Sequence, residues 1–326
     1  MSRALRANVA CLYKSACHSR VNKVDISGKS LLTPCYFPAI SSYATKYPLS
    51  SLISFLHQYS KTLLVSAYDL YEESDNKNHL EDQMEGMSEN IIMLDSGKFE
   101  SSWFNREGWS IARYKEIVES TTHDLYTSYD LFPTEAGDDF EKQSIENINQ
   151  SIRMSERNAC VPIVHVKSID SVLSILKETT GEGVEFVALP ERELGDSIYD
   201  RCYNISKIRQ FLDSTGLNIL IHILGAGHPI SVLLYVYGGA DSFDSLDWQK
   251  HVIDPQDLNF KDYAHLPLIE CDCKYCNNET MPYVHKAYLH NLFLMKRILN
   301  EVIISIRNDN FKGFLSKYTS PPSLDE

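Results

Sequence analysis

Eight short apolar runs punctuate the chain: residues 33–40 (TPCYFPAI), 63–70 (LLVSAYDL), 90–95 (NIIMLD), 124–130 (DLYTSYD), 162–166 (PIVHV), 185–189 (EFVAL), 219–224 (ILIHIL) and 240–244 (ADSFD). Between most of them apolar residues recur at helical spacing. Ile169, Val172, Leu173 and Leu176 fall on one helix face, as do Ile205, Ile208, Phe211 and Leu212. Strands that alternate with helices predict a parallel sheet, and eight of them in one chain predict a (β/α)8 barrel. The clearest unit runs from Asn218 to Lys250. Its first strand stops at Gly225-Ala226-Gly227, Pro229 opens an amphipathic segment, and a second strand ends at Phe243-Asp244-Ser245, the order of a parallel βαβ unit. The expected layout is a barrel over residues 1–260, a metal-binding and helical subdomain over 261–318 that completes it, and a disordered tail over 319–326 (TSPPSLDE).

A barrel places its chemistry at the C-terminal ends of the strands. Here the third strand ends at Asp95, the fourth at Asp130, the fifth near His165 and the eighth at Asp244. Three carboxylates and an imidazole then converge on one mouth. Each acid alone also suits a capping or turn role, for which Asp is enriched, but fully buried Asp is rare unless it is paired.

Charge complicates this picture. The 326 residues carry a formal net charge of −13, which by itself argues against a nucleic-acid partner. The distribution is uneven. Residues 3–23 hold Arg3, Arg6, Lys14, Arg20 and Lys23 without an acid, and the part after His285 holds Lys286, Lys296, Arg297, Arg307, Lys312 and Lys317. The acidic excess sits mid-chain, notably in residues 71–90 (YEESDNKNHLEDQMEGMSEN). A basic surface on an acidic body is compatible with a phosphate-bearing partner. No apolar stretch reaches the length of a membrane span, so no membrane partner is expected. The basic N-terminus faintly resembles a transit peptide, but it lacks a secretory apolar core. A cytoplasmic setting is expected.

Five of the eight cysteines are scattered singly, and three are packed into Cys271-Asp272-Cys273-Lys274-Tyr275-Cys276. A C-x-C-x2-C cluster in a reducing setting suits a tetrahedral structural Zn2+, the alternative being chance clustering.

The chain from Thr33 to about Phe311 resembles the tRNA-guanine transglycosylases. Thr33-Pro34 and Phe37-Pro38 resemble the family's opening "TP...MP" strand, and Leu94-Asp95-Ser96-Gly97-Lys98-Phe99-Glu100 resembles "TDSGGFQ". Tyr129-Asp130 with Pro133 resembles "FDECTP". Ser151-Ile152-Arg153 and Glu156-Arg157 resemble the helix that follows, and Leu194-Gly195-Asp196 lies where the family has "VGE". Leu224-Gly225-Ala226-Gly227-His228-Pro229 and Phe243-Asp244 match the family's glycine turn and nucleophile motif without a gap. The resemblance implies Asp244 as nucleophile and Asp95 as general acid/base. It implies Phe99 and Leu224 on either side of the base, Asp130 on the base edge, Ser96 and Gly225 beside it, and His165 in place of a base-reading glutamine. It also implies a histidine as fourth zinc ligand. Counting from the helix Ala287-Tyr288-Leu289-His290-Asn291 puts the family histidine on Arg307, which cannot ligate. His285 is then the first substitute, His290 the second and His265 the third.

Two departures bear on the substrate. The Pro-Thr-Arg run that follows the family nucleophile is replaced by Ser245-Leu246-Asp247-Trp248-Gln249-Lys250, and a glycine pair is replaced by Pro190-Glu191, followed by Arg192. With a short C-terminus lacking an added RNA-binding domain, these resemble the divergent branch that inserts 7-deazaguanines into DNA. The first expectation is therefore a transglycosylase exchanging guanine for a preQ0-like 7-deazaguanine in DNA, in the cytoplasm of a bacterium or of a phage-infected host. A tRNA-guanine transglycosylase of queuosine or archaeosine type is the alternative, and a non-catalytic barrel subunit the third reading. A homodimer or accessory proteins are left open.

Overall fold

A computed structural model describes residues 7–42, 47–72, 86–103, 108–179 and 184–324. Arg3, Arg6 and most of the acidic stretch 71–90 lie outside the described residues. Three antiparallel strands come first: β1 (Ala7–Lys14), β2 (Arg20–Ile26) and β3 (Lys29–Leu32). Eight strands follow: β4 (Cys35–Ile40), β5 (Thr62–Ser66), β6 (Ile91–Asp95), β7 (Leu125–Thr127), β8 (Ala159–Val161), β9 (Phe186–Pro190), β10 (Leu220–Leu224) and β11 (Ser242–Ser245). They form one parallel sheet in the order β8-β7-β6-β5-β4-β11-β10-β9. The sheet curls until its ends meet, where Val164 N donates to Ala188 O at 2.9 Å and Ala188 N to Pro162 O at 2.8 Å. This is the expected α/β barrel.

Strand parity divides the apolar residues into two cores, because successive side chains point to opposite faces. Phe37, Ala39, Leu64, Ile91, Met93, Leu125, Ala159, Val161, Phe186, Ala188 and Leu220 fill the barrel interior. Their neighbours, such as Ile92, Leu94, Val187, Leu189, Ile221, Ile223 and Phe243, pack outward against the helices. Both faces are therefore apolar, as the unbroken runs in the sequence require. The helix Ile198–Ser214 begins at a capping box in which Ser197 and Asp200 exchange hydrogen bonds. It buries Ile205, Ile208 and Leu212, the stripe read from the sequence.

Two expectations change. The fifth strand was expected at 162–166, but its ladder to β7 spans Ala159–Val161, and the later residues only bridge to β9. Pro162 has no N–H to continue a ladder. The N-terminal sheet was not expected at all. It lies across the N-terminal end of the barrel, where Val24 and Ile26 join the interior core. Lys29 Nζ pairs with the Asp124 carboxylate at 2.8 Å just before β7, and Asn218 Nδ2 donates to Val9 O just before β10. Its signal was the hairpin loop Ser27-Gly28, both residues at positive φ, a geometry that joins strands tightly.

The last part of the chain holds the hairpin β12 (His251–Ile253) and β13 (Phe260–Asp262) and the long helix Tyr283–Arg307. That helix packs on β4 and on the N-terminal sheet. The boundary expected at 260/261 falls inside β13. In the stretch expected to be a disordered tail, Leu324 is 9% exposed and belongs to the outer core. Among the described residues no helix is long and apolar enough to cross a membrane.

One polar network is buried beside β11. Arg209 and Asp241 are both fully buried and form an ion pair. The guanidinium also donates to Gly239 O (3.0 Å) and Ile219 O (2.7 Å). Asp241 accepts from Ile221 N and from Asn22 Nδ2, each at 2.8 Å. Removing one partner leaves an uncompensated charge. Arg209→Met should lower unfolding stability by about 3–5 kcal/mol, measured by urea denaturation at neutral pH. A loss below about 1 kcal/mol, the value of an exposed pair, would show the pair to be peripheral.

Candidate active site and metal centre

The same parity that builds the interior aims the acids. Asp95 shares a face with Ile91 and Met93, and Asp244 with Ser242, so both carboxylates enter the mouth above the apolar filling. The turn after β6 fixes Asp95. Gly97 sits at φ +69°, donates its N–H to Asp95 Oδ2 at 3.0 Å, and passes so close to Tyr68 that a Cβ would lie 2.4 Å from the tyrosine's own. Ser96 is fully buried. Its N–H donates to Thr127 Oγ1 and its carbonyl accepts from the Trp109 indole. Ser96 is thus tied to β7 through its backbone.

Asp244 is held by two donors on one oxygen. Gly225 N donates to Oδ1 at 3.0 Å, made possible by the positive φ of Gly225 (+80°), and His222 Nε2 lies 3.2 Å from the same oxygen. Oδ2 accepts no hydrogen bond among the described residues. His222 is fully buried, its Nδ1 is 2.9 Å from Ser242 Oγ, and its ring meets Phe37 edge-on. The sequence reading passed over His222 as part of the run ILIHIL. Its signal was parity: it sits two residues before Leu224 and opposite Ser242 in the ladder.

The electrostatics separate the acids. Burial, reinforced by the charges of Glu100, Asp130 and Asp244, holds Asp95 protonated well above the usual carboxylate range, although the Gly97 N–H acts against this. Glu100, in the position next to Phe99, is also buried. Ser41 Oγ donates to its Oε1 at 2.7 Å, and Oε2 has no hydrogen-bond partner among the described residues. Burial and the Asp69 charge push Glu100 up to about 7. Asp130 meets His165 directly, with Nε2 and Oδ1 2.7 Å apart. Glu193 stands on the other side of the ring at 2.7 Å. Both ring nitrogens are engaged, so His165 does not face the mouth as a free base reader. Phe99 is 48% exposed and stacks on Trp103, while Leu224 is half-buried beside Pro190. Glu191, one of the two departures, turns away to accept from Arg201 (3.0 Å) and the Tyr235 hydroxyl (2.7 Å).

The metal cluster corrects one expectation. His290, and not His285, joins Cys271, Cys273 and Cys276, with all four donor atoms within 4.8 Å of one another. His285 instead stacks on Phe55, with ring centroids 4.5 Å apart, and His265 is exposed. His290 shares the buried helix face with Ala287 and Leu294. His285, five residues earlier, is turned about 140° away. Arg307 lies about 25 Å further along the same helix, near the Tyr13 ring. His290 Nε2 is 2.7 Å from Ile253 O, so it is the donor there, and Nδ1 faces the sulfurs at 3.2 and 3.8 Å. Three sulfurs and one nitrogen at this spacing fit Zn2+, whose ligands stand about 2.0–2.3 Å from the ion.

Comparison with known proteins follows this geometry. The family model described as queuine tRNA-ribosyltransferase matches residues 15–318. The tRNA-guanine(15) transglycosylase of Nanoarchaeum equitans is 23% identical over 96% of this chain and 78% of its own length. Those of Methanococcus aeolicus and Pyrococcus furiosus are 20% and 21% identical over 89% and 88% of this chain. The chain spans about half the length of these two relatives.

Two predictions arise. Glu100 has a folded pKa of about 7 against an ordinary 4.5, so burying its charge costs nothing below pH 4.5 and its full amount above pH 7. Glu100→Gln should therefore stabilise the protein by on the order of 3 kcal/mol at pH 8 and hardly at all near pH 4.5, compared by urea denaturation at both pH values. A gain that is equal at both would refute the buried charge. Metal analysis should find one Zn2+ per chain, lost in Cys273→Ser and His290→Ala and kept in His285→Ala. Equal zinc in all three variants would remove the site.

Proposed function

We propose, from the premise that the chain belongs to the queuine tRNA-ribosyltransferase family, that it is a guanine transglycosylase working through a covalent aspartyl-sugar intermediate. The observation that carries this is the pairing of Asp244, with one oxygen held by Gly225 and His222, and a protonated Asp95 in the same mouth. Asp244 Oδ2 attacks C1′ of the target nucleotide. The C1′–N9 bond breaks, its electron pair leaves with guanine, and Asp95 gives its proton to the departing base. The incoming 7-deazaguanine-type base then loses its N9 proton to the Asp95 carboxylate, and its nitrogen attacks C1′ and expels Asp244. One carboxyl serves as acid and then as base, as in retaining glycosidases.

Phe99 and Leu224 sandwich the base, Asp130 accepts from its N–H groups, and Ser96 and Gly225 line the same space. The target nucleotide must leave its stack to enter, at a cost of a few kcal/mol. Cys271, Cys273, Cys276 and His290 would hold a Zn2+ that would supply folding energy. His290 and Asn291 carry this outward. Asn291 accepts from Ile253 N and donates to the carbonyls of Trp248 and His251, binding the metal-site helix to the segment after the nucleophile.

tRNA is the substrate this reading favours, since the relatives are named for tRNA and position 15. DNA is the second reading, and one observation favours it. The segment after Asp244 carries no arginine and folds inward: Trp248 and Gln249 are buried and both donate to Ala39 O. The grip on nucleic acid at this edge of the mouth then differs from an exposed Arg-bearing run.

The test is exchange of labelled guanine and preQ0 into unmodified tRNA and duplex DNA side by side. Label should enter tRNA, and Asp244→Asn should lower the rate by at least about 10^3-fold with the fold intact, on the scale of losing a nucleophile. Entry into DNA but not tRNA would replace the first substrate with the second. Absence of exchange into either would leave a non-catalytic barrel subunit.

A further inference from the structure

The cations that the sequence places after His285 have no part in the reaction above. Two of them, Lys296 and Arg297, lie where two hollows flank the helix Tyr283–Arg307. One hollow, of about 440 Å3, runs between this helix, the start of β4 and the N-terminal sheet, over Leu32, Tyr36, Met295, Leu299 and Ile303. The other, of about 420 Å3, runs between the helix and the cysteine loop, over Tyr275, Leu289, Phe293 and Ile304. Tyr59, Leu292, Lys296 and Asn300 line both, so the two form one trough with Lys296 on the ridge between them.

The charge of this trough is one-sided. Lys23, Lys61, Lys274, Lys296 and Arg297 line it against a single acid, Glu301. Lys23 is paired with Asp25 at 3.1 Å, whereas among the described residues the other four cations form no ion pair. Aromatic rings hold two of them in the wall. Lys274 Nζ lies 5.0 Å from the centre of the Tyr275 ring, and the Arg297 guanidinium 5.9 Å from that of Phe293. Such contacts fix a cation without neutralising it. Tyr275 meets Phe293 and Tyr59 edge-on, with centroids 6.1 and 6.2 Å apart. Salt screens exposed charges beyond about 10 Å, so a polyanion laid along the trough meets this local excess and not the net charge of −13.

We infer that the trough is a second nucleic-acid contact, apart from the mouth, which holds the sugar-phosphate backbone of the substrate. This inference rests on the base-exchange reading above. The mouth supplies little of that hold. It is lined by Asp95, Glu100, Asp130 and Asp244, the segment after Asp244 buries Trp248 and Gln249, and Lys98 is paired with Glu135 at 2.9 Å. The trough lies within reach of it. Asn291 of the same helix donates to Trp248 O, four residues after Asp244. Lys296 stands about 8 Å further along the helix axis, the rise of about two base pairs. Phosphate contacts fix position and carry no sequence, so the trough orients the strand and leaves base choice to the mouth. An acidic protein would meet the same charges, and the experiment separates the two.

The triple variant Lys61→Gln/Lys296→Gln/Arg297→Gln removes three charges and keeps most of each stem. Lys274 is left in place because it lies between Cys273 and Cys276. Binding of unmodified tRNA and of duplex DNA is followed by fluorescence anisotropy over a range of KCl concentrations. The polymer that the wild-type chain binds should be held at least about tenfold more weakly by the triple variant. The slope of log K against log salt should fall by about 2 to 3, near one per cation removed. In exchange assays KM for that polymer should rise by a similar factor, while kcat and KM for free guanine stay as in wild type, a split that poor folding would not give. Lys61→Arg/Lys296→Arg/Arg297→Lys, which keeps the charges, should bind as wild type. So should Lys177→Gln, an exposed charge on the helix Ile169–Thr179 after β8, four strands from β4 either way round the ring. Unchanged affinity and slope in the triple variant, the result an acidic protein partner predicts, would overturn the inference, as would an equal loss in Lys177→Gln or a wild-type chain that binds neither polymer. If the wild-type chain exchanges no base but binds one polymer, and the triple variant loses that binding, the base-exchange reading fails and the trough stands as a nucleic-acid contact.

Discussion

The ion pair between Arg209 and Asp241 ties together the parts of the molecule that must agree for the mouth to exist. Asp241 lies three residues before Asp244, and its carboxylate accepts from the β10 backbone, from a helix-borne guanidinium and from Asn22 of the N-terminal sheet. Its main chain continues the same junction, with N–H to Ile221 O and carbonyl to Cys35 N. A helix, two barrel strands and the sheet below the barrel thus meet at one buried carboxylate. In a low-dielectric interior such a group tolerates little displacement, because every partner lost leaves a charge or an N–H unsatisfied. The height and rotation of β11 are set there, and with them the direction of the Asp244 side chain.

The acids at the mouth show how one environment yields different groups. Asp244 has two donors on one oxygen, Asp130 has an imidazolium, and Asp95 and Glu100 have burial and one another. Burial and neighbouring carboxylates push Asp95 and Glu100 toward the protonated form, while Asp244 and Asp130 are met by dedicated hydrogen-bond partners. The Cys-His cluster belongs to another part of the fold, where the helix Tyr283–Arg307 carries His290 and ties it to β12 through Ile253 O.

Much of this was legible in the sequence because it is local. Runs of strand length marked seven of the eight barrel strands and set the fifth a few residues late, and polar residues ending them marked Asp95, Asp130, His165 and Asp244. What escaped was set by pairing between distant segments. Glu193 stands 28 residues from His165, and neither local pattern announces the other. His222 hides in an apolar run because a buried polar residue in a barrel strand has the same neighbours as an apolar one. The choice of His285 over His290 followed sequence order where helix phase decides, and only the buried stripe of Ala287 and Leu294 distinguishes the two. The N-terminal sheet was obscured by its basic residues, which alternate with the few apolar ones that plug the barrel.

The seam between β4 and β11 has a consequence for how the chain reaches its native state. Cys35 pairs with Ser242 and Phe37 with Asp244, so the first barrel strand meets the last across some two hundred residues of intervening chain. Contacts of such separation carry a large loop-closure entropy and form late compared with hairpins and single βα units. Earlier species can hold single βα units, among them the one in which β11 already lies beside β10, but not the closed ring. The Asp244 carboxylate is thus set against the β10 turn by a local unit, and its strand is locked between β10 and β4 only with the closing of the ring.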